Sequence, residues 1–318
     1  MESSELEFLK NKGYTLIKTI AKGGYGTIYL VYSEKYRTNF ALKKVPEKMF
    51  NKSEIQCLLS IYNPNIISLY QYYQFNGSLY LILEYCPTDL NKLMKEKPHF
   101  TDEELLQYSA DIVRAVKACH ERNFAHSDIK PSNFLIDQHG HLKISDFGLS
   151  TLIDDQQLCN QFKGTRMYMA PEIFSQAKYN PIIADVWSIG VTLYFMATRQ
   201  LPFYSENRLD LQRNIEAGLY AEDAISNIML RKVISRCLEV NVHKRAKISE
   251  ILEMPYFKQI KSENNLLNST LQRRSFLSNK SKSKLIETRS AYKSNHSFSL
   301  PSSRIRHISS HPIETFTE

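Results

Sequence analysis

Between residues 14 and 44, apolar and polar positions alternate in short runs. They are Tyr14-Thr15-Leu16-Ile17, Thr27-Ile28-Tyr29-Leu30-Val31-Tyr32 and Asn39-Phe40-Ala41-Leu42, interrupted by Gly23-Gly24. A period near two in β-branched and aromatic residues predicts strands. Residues 66–75 and 78–85 continue the pattern. Asn76-Gly77 between them is the dipeptide that supplies the two left-handed residues of a tight hairpin. After Pro87 the period lengthens. Thr101 can cap a helix and Glu104, three residues on, completes a capping box. Residues 105–120 then repeat at helical spacing, and 180–197, 224–237 and 248–252 also read as helices. The longest apolar run, 186–197, is broken by Ser188 and Gly190. It falls short of the ~20 residues of a membrane span and reads as a buried helix.

The pattern therefore predicts an α+β chain, with a small β-rich lobe over 13–86 and a larger helical lobe over 87–257. Residues 1–12 are acidic and polar, a short leader without the apolar stretch of a signal peptide. Residues 258–318 are rich in Ser, Lys, Arg and Asn with no apolar period, which predicts disorder.

Charge sharpens this division. The chain carries a formal +8, of which the eleven Lys/Arg and four Glu from Lys258 onward contribute +7. The folded part is close to neutral, which argues against a nucleic-acid-binding domain. The basic tail could meet acidic partners, lipid or nucleic acid, or simply be solvated. The five cysteines are scattered without a CxxC or Cys/His cluster, so neither a disulfide framework nor a zinc site is indicated. The expectation is a soluble intracellular protein, cytoplasmic or nuclear, with no transmembrane segment.

Candidate chemistry comes from four segments. Ala21-Lys22-Gly23-Gly24-Tyr25-Gly26-Thr27-Ile28 lies between two strand patterns, where glycines let backbone approach phosphate oxygens. Alone it reads more readily as an ordinary turn. Lys43 follows on the next strand, where a lone lysine is most often a solvated edge charge. His126-Ser127-Asp128-Ile129-Lys130-Pro131-Ser132-Asn133 precedes an apolar run, and thirteen residues after Asn133 comes Asp146-Phe147-Gly148. Carboxylate and amide oxygens suit a hard divalent cation. Phosphoryl transfer needs metal on the phosphates and a carboxylate at the attacking hydroxyl. Each segment has a bland reading; their joint occurrence in this order does not.

Together with Met169-Ala170-Pro171-Glu172, Asp185-Val186-Trp187-Ser188-Ile189-Gly190 and Arg245, these motifs resemble the eukaryotic protein kinase family over about residues 14–257. The resemblance implies a bilobal kinase fold, with ATP and Mg2+ (or Mn2+) as cofactors and proteins as substrates. It implies that Ala21, Gly23 and Gly26 form the loop over the phosphates, and that Ile28 and Ala41 pack on adenine. Lys43 would bind the α- and β-phosphates and pair with Glu54. Glu84-Tyr85-Cys86 would be the hinge, with Leu83 guarding the pocket behind it. Asp128 would be the base and Lys130 would neutralise the γ-phosphate. Asn133 and Asp146 would hold metal. Thr165 would floor the acceptor site, while Glu172, Asp185 and Arg245 would be structural. Asp128-Ile129-Lys130 with Gly164-Thr165 resembles the serine/threonine class. A pseudokinase or nucleotide-binding scaffold is the alternative, and the presence of Lys43, Asp128, Lys130, Asn133 and Asp146 argues against it.

Four departures from the family pattern matter. Ala21 replaces the first loop glycine. Ser127 stands where the family commonly has an arginine that binds a phosphate, and Gln161 stands at the usual phosphate-accepting position. Both halves of that switch are missing together, so activity that does not depend on phosphorylation at that position is expected, with Gln161 hydrogen-bonded into the loop. Lys43 and Glu54 are joined by a short connection, which puts Glu54 in the first turn of its helix. There it could form a capping pair with Asn51 in competition with Lys43. Finally, Ser132 and Phe195 replace acidic residues that read substrate arginines, leaving Asp89, so a weak preference for upstream arginine is expected.

Overall fold

A computed structural model of the chain describes residues 1–23, 26–153, 158–175 and 178–260. The predicted disorder of the basic tail concerns residues that, from 261 on, lie outside the described ones.

The chain opens with helix α1 (Ser3–Asn11). Strands β1 (Tyr14–Gly23), β2 (Gly26–Ser33), β3 (Thr38–Pro46), β4 (Leu69–Phe75) and β5 (Ser78–Glu84) follow, with helix α2 (Lys52–Ser60) between β3 and β4. The strands form one antiparallel sheet in the order β1-β2-β3-β5-β4. Asn76 and Gly77 both have positive φ, as the predicted tight turn requires.

Register divides this sheet into two faces, because directly opposed residues share a face and so do alternate residues of one strand. Ile28 opposes Lys43, Ala41 opposes Leu83, and Ala21 opposes Ile28. These positions therefore line one face. Lys44 opposes Tyr80, and Leu42 opposes Tyr29 and Ile82, so they line the other. That second face buries Tyr14, Tyr29, Val31, Phe40, Leu42, Tyr80 and Ile82 together with Leu9 of α1.

Residues 1–12, expected to be a leader, thus contain a helix that packs on the sheet. Nine residues are too few for a stable isolated helix, so docking holds it. Leu9 is 1% exposed, worth roughly 2 kcal/mol of hydrophobic burial. Phe8 stacks on Phe75 at 4.3 Å. Glu5 is buried too. Its carboxylate accepts hydrogen bonds from Lys44 Nζ, from Tyr80 OH at 2.5 Å and from the Glu2 amide at 2.9 Å. Burial works against the charged carboxylate, but the Lys44 and Tyr80 hydrogen bonds outweigh it and hold the pKa down at about 2.

The larger lobe begins with the short strand β6 (Thr88–Asp89) and helix α3 (Leu90–Glu96). Helix α4 (Asp102–His120) carries the predicted Thr101/Glu104 capping box, with both reciprocal bonds formed. Short strands β7 (Phe124–Ala125), β8 (Phe134–Ile136), β9 (Leu142–Ile144) and β10 (Thr151–Leu152) frame the catalytic-type loops. Helices α5 (Pro171–Phe174), α6 (Pro181–Thr198), α7 (Arg208–Ala217), α8 (Ile228–Cys237) and α9 (Ile248–Leu252) follow, and residues 255–260 are again helical. Helix α6 is long and apolar enough to cross a membrane, but 67% of it is buried inside the fold. The expected helix over 224–237 is shorter at its start, because Asn227 caps it. All five cysteines are free thiols.

Candidate active site

The site is built where β3, α2 and the loops around β8 and β9 converge. Lys43 is 6% exposed. Its ammonium reaches Glu54 Oε1 at 2.6 Å and Asp146 Oδ1 at 2.9 Å. Burial disfavours the charged amine, yet the two carboxylates outweigh it and raise its pKa. Asp146 is opposed in the same way: burial pushes it up, Lys43 pulls it further down, and it ends below the usual carboxylate range. The competition posed for Glu54 is settled geometrically. Asn51 does cap α2, but through Oδ1 and the Ser53 amide at 3.0 Å. Glu54 is left to Lys43.

The catalytic-type loop is held from below by Asp185. Its carboxylate accepts the His126 amide at 2.7 Å and the Ser127 amide at 2.9 Å, and faces His120 Nε2 at 3.0 Å. This bracing has a reason. Ser127 lies in the left-handed region with φ 66°, a conformation that costs a non-glycine residue about 1–3 kcal/mol. Gly164 crosses directly over it: a Cβ there would sit 2.5 Å from the Ser127 carbonyl oxygen. Only glycine lets the two segments come this close.

That approach brings Thr165 onto Asp128. The Thr165 amide and hydroxyl donate to Asp128 Oδ1 at 3.0 and 2.8 Å. Lys130 Nζ stands 2.7 Å from Oδ2 and donates to the Thr165 hydroxyl at 2.8 Å. Asn133 Nδ2 donates to the Asp128 carbonyl at 2.7 Å and to Oδ2 at 3.0 Å. Asp128 is therefore fixed through both oxygens. A recess beside it is lined among others by Lys163, Thr165, Tyr168 and Tyr179.

Both side-chain hydrogen bonds of Asn133 leave from Nδ2, so Oδ1 is the side-chain atom left to meet a cation. Asp146 has a side chain 42% exposed and commits Oδ1 to Lys43. One carboxylate and one amide oxygen on facing loops suit a hard divalent cation. Asp146 itself adopts φ 59°, and Phe147 behind it is buried against His126, with ring centroids 5.1 Å apart.

Gly23 and Gly26 of the glycine-rich segment lie at strand ends. Gly23 opposes Gly26, and a Cβ on Gly26 would lie 2.4 Å from the Lys44 carbonyl oxygen. Ala21 sits in β1 without positive φ, so alanine is accommodated there. Gly24 and Tyr25 lie outside the described residues. Glu84 ends β5 with its side chain turned to Lys143 at 3.1 Å and the Ser68 amide at 3.3 Å, away from the Lys43 face. Cys86 is half-buried, and burial lifts its thiol to about 12.

Cys159 and Gln161 are held through their main chain. Residues 159 and 179 form an antiparallel bridge with N–H···O distances of 2.8 and 2.9 Å, and Tyr179 OH donates to the Gln161 carbonyl at 2.7 Å. The expected Gln161 contact is thus made by its backbone. Arg245 is completely buried and forks onto Glu172 at 2.6 and 2.9 Å. Its Nε donates to the Glu239 carbonyl at 2.9 Å.

Two features of the site escaped the sequence: the second role of Asn51, whose Nδ2 reaches the loop after Asp146, and the bracing of that loop by Lys163 Nζ on Thr151 Oγ1 at 3.2 Å. Nothing in the spacing of these residues announces either contact.

Comparison with known proteins agrees with this geometry. The family model described as "Protein kinase domain" matches residues 14–257. The chain is 33% identical over 253 residues to the carbon catabolite-derepressing protein kinase of Saccharomyces cerevisiae, covering 77% of this chain and 40% of that protein. It is 33% identical to the probable serine/threonine-protein kinase MARK-A of Dictyostelium discoideum, covering 78% and 24%. It is 31% identical to the CBL-interacting serine/threonine-protein kinase 12 of Arabidopsis thaliana, covering 77% and 53%. The chain therefore spans about a quarter to a half of the length of these relatives.

Proposed function

Because the chain belongs to the protein kinase family, we propose that it transfers the γ-phosphoryl group of ATP to serine or threonine hydroxyls of proteins, through a kinase domain over 13–257. The observation that carries this reading is the fixation of Asp128. Thr165 holds one oxygen, while Lys130 and Asn133 hold the other. A carboxylate so placed orients an incoming hydroxyl and accepts its hydrogen bond without reorganising. Lys130 beside it offsets charge on the phosphoryl group. Lys43, kept cationic by Glu54 and Asp146, binds the α- and β-phosphates. Asn133 and Asp146 would hold Mg2+ or Mn2+, which when bound neutralises phosphate charge. Gly23 and Gly26 bring main chain to the phosphates. The face carrying Ala21, Ile28 and Ala41 takes the adenine, with the main chain of Glu84-Tyr85-Cys86 as hinge. Asp185, Glu172 and Arg245 brace the lobe beneath.

The reading includes activity that does not depend on phosphate at the position of Gln161. Support comes from the Tyr179–Gln161 bond and the 159/179 bridge, uncharged contacts that tie residues 159–161 to Tyr179. Phosphatase-treated enzyme should label a generic protein substrate from [γ-32P]ATP, with phosphoserine or phosphothreonine as product. Asp146→Asn should abolish the label. A silent phosphatase-treated enzyme revived by phosphorylation near 161 would refute independence. Equal labelling by the Asp146→Asn variant would assign the activity to a contaminant.

A further inference from the structure

The connection from β3 to α2 is short: Lys43 and Glu54, eleven residues apart, already face each other. Glu54 consequently sits in the first turn of α2, and the amino-terminal end of that helix lies against the loop that carries Asp146. The residue at this end is Asn51, partly buried, with extended backbone (φ −88°, ψ 113°). Its side chain makes three hydrogen bonds. Oδ1 accepts from the Ser53 amide at 3.0 Å. Nδ2 donates to the Gly148 carbonyl at 3.1 Å and to the Ser150 carbonyl at 2.9 Å. The two halves of one amide thus face different elements.

From this geometry we propose that Asn51 is a positioning residue that sets Glu54 and Asp146 together. It rests on the kinase reading above and deepens it. Through Oδ1, Asn51 starts the helix that presents Glu54 to Lys43. Through Nδ2, it fixes the two carbonyls that follow Asp146-Phe147. Displacing α2 breaks the second set, and displacing the loop pulls on the first. The two partners of Lys43 therefore move as a unit, held by an uncharged side chain. The chemistry also explains why asparagine is used here. Aspartate and serine cap a helix about as well, but neither offers a donor placed to satisfy two carbonyl oxygens at once.

This separation of roles supplies the test. Asn51→Asp and Asn51→Ser keep a cap acceptor and remove the amide donor. Asn51→Ala removes both. Two measurements are made on the full chain: steady-state kinetics, and amide hydrogen exchange without nucleotide. The cap-retaining variants are expected to lose about thirtyfold in kcat/KM, the scale of two hydrogen bonds. Exchange across residues 147–153 should rise by up to about thirtyfold, on that same scale, while 54–58 stay protected. The serine variant shows that any loss with aspartate is not only charge repulsion. If both cap-retaining variants match wild type in kinetics and exchange while only Asn51→Ala differs, Asn51 is a cap and nothing more. A rise in exchange confined to 54–58 overturns the proposal equally. A wild-type protein without activity would sink the kinase reading instead. The exchange comparison, which needs no catalysis, would then decide the role of Asn51 alone.

Discussion

Replacing Glu5 with glutamine tests the account of the amino-terminal helix. The change preserves size and helix propensity and removes one charge. In the fold that charge answers Lys44, the Tyr80 hydroxyl and the Glu2 amide. The drop of the carboxyl from 4.5 to about 2 corresponds to a ceiling of roughly 3 kcal/mol. Lys44 keeps a side chain 24% exposed, so water screens part of the interaction and about 2 kcal/mol is the working value. For a domain of this size that is roughly 4–8 °C in Tm. The pH dependence is more discriminating. A carboxylate depressed by folding stabilises fully above its unfolded pKa and loses that contribution as pH falls toward its folded one. The gap between wild type and Glu5→Gln should hold from pH 8 to about 5 and shrink below about 4.5. Urea unfolding at pH 7.5, 5.5, 4.5 and 3.5 reads both. A gap under about 0.5 kcal/mol at neutral pH, or one that widens on acidification, would refute the reasoning.

Two further outcomes are expected. Glu172→Gln leaves the fully buried Arg245 guanidinium without its counter-charge and should cost about 3 kcal/mol in chemical denaturation; a loss under about 1 kcal/mol would show that the Glu239 carbonyl and the Ile183 carbonyl, which accepts from Arg245 Nη1 at 3.2 Å, suffice. An arrayed peptide library should show weak selection for arginine at the −3 position. Asp89, the acidic residue that remains, caps α3 through the Lys92 amide at 2.9 Å and pairs with the Lys92 ammonium at 3.2 Å, and dominant arginine there would contradict this.

What was legible in the sequence was local. Asn76-Gly77 named its turn, and Thr101 with Glu104 named its helix start, because each signal lies within four residues. The motifs named Glu54 and Asp146, which meet Lys43, and Lys130, Asn133 and Thr165, which meet Asp128. Helix α1 was not legible for a physical reason. The side it buries includes a glutamate, and a buried glutamate is sensible only beside Lys44 and Tyr80, which are 39 and 75 residues away. A polar leader was the natural reading of such a segment. One local sign did exist, the reciprocal bonding of Glu2 and Glu5, but its first member is not among the preferred caps. Helices α3 and α7 were missed because they are short: Leu90, Leu93 and Met94, and Leu211 with Ile215, stand at helical spacing but for one repeat only. Asn51 shows the opposite limit: the cap was legible, but its second set of partners, about a hundred residues away, was not.

Strand β3 carries Lys43 and Lys44 side by side, each committed to a glutamate on its own face of the sheet. The outer pair has a consequence for descent. In a relative without an amino-terminal helix, a lysine at the position of Lys44 has water to turn to and is free to drift to other residues. Once the helix is docked, the exchange of either partner alone strands a charge beside Tyr80. Positions 5 and 44 should therefore be inherited as a couple. Paired change at these two sites would mark which lineages of the family kept this cover over the sheet and which lost it.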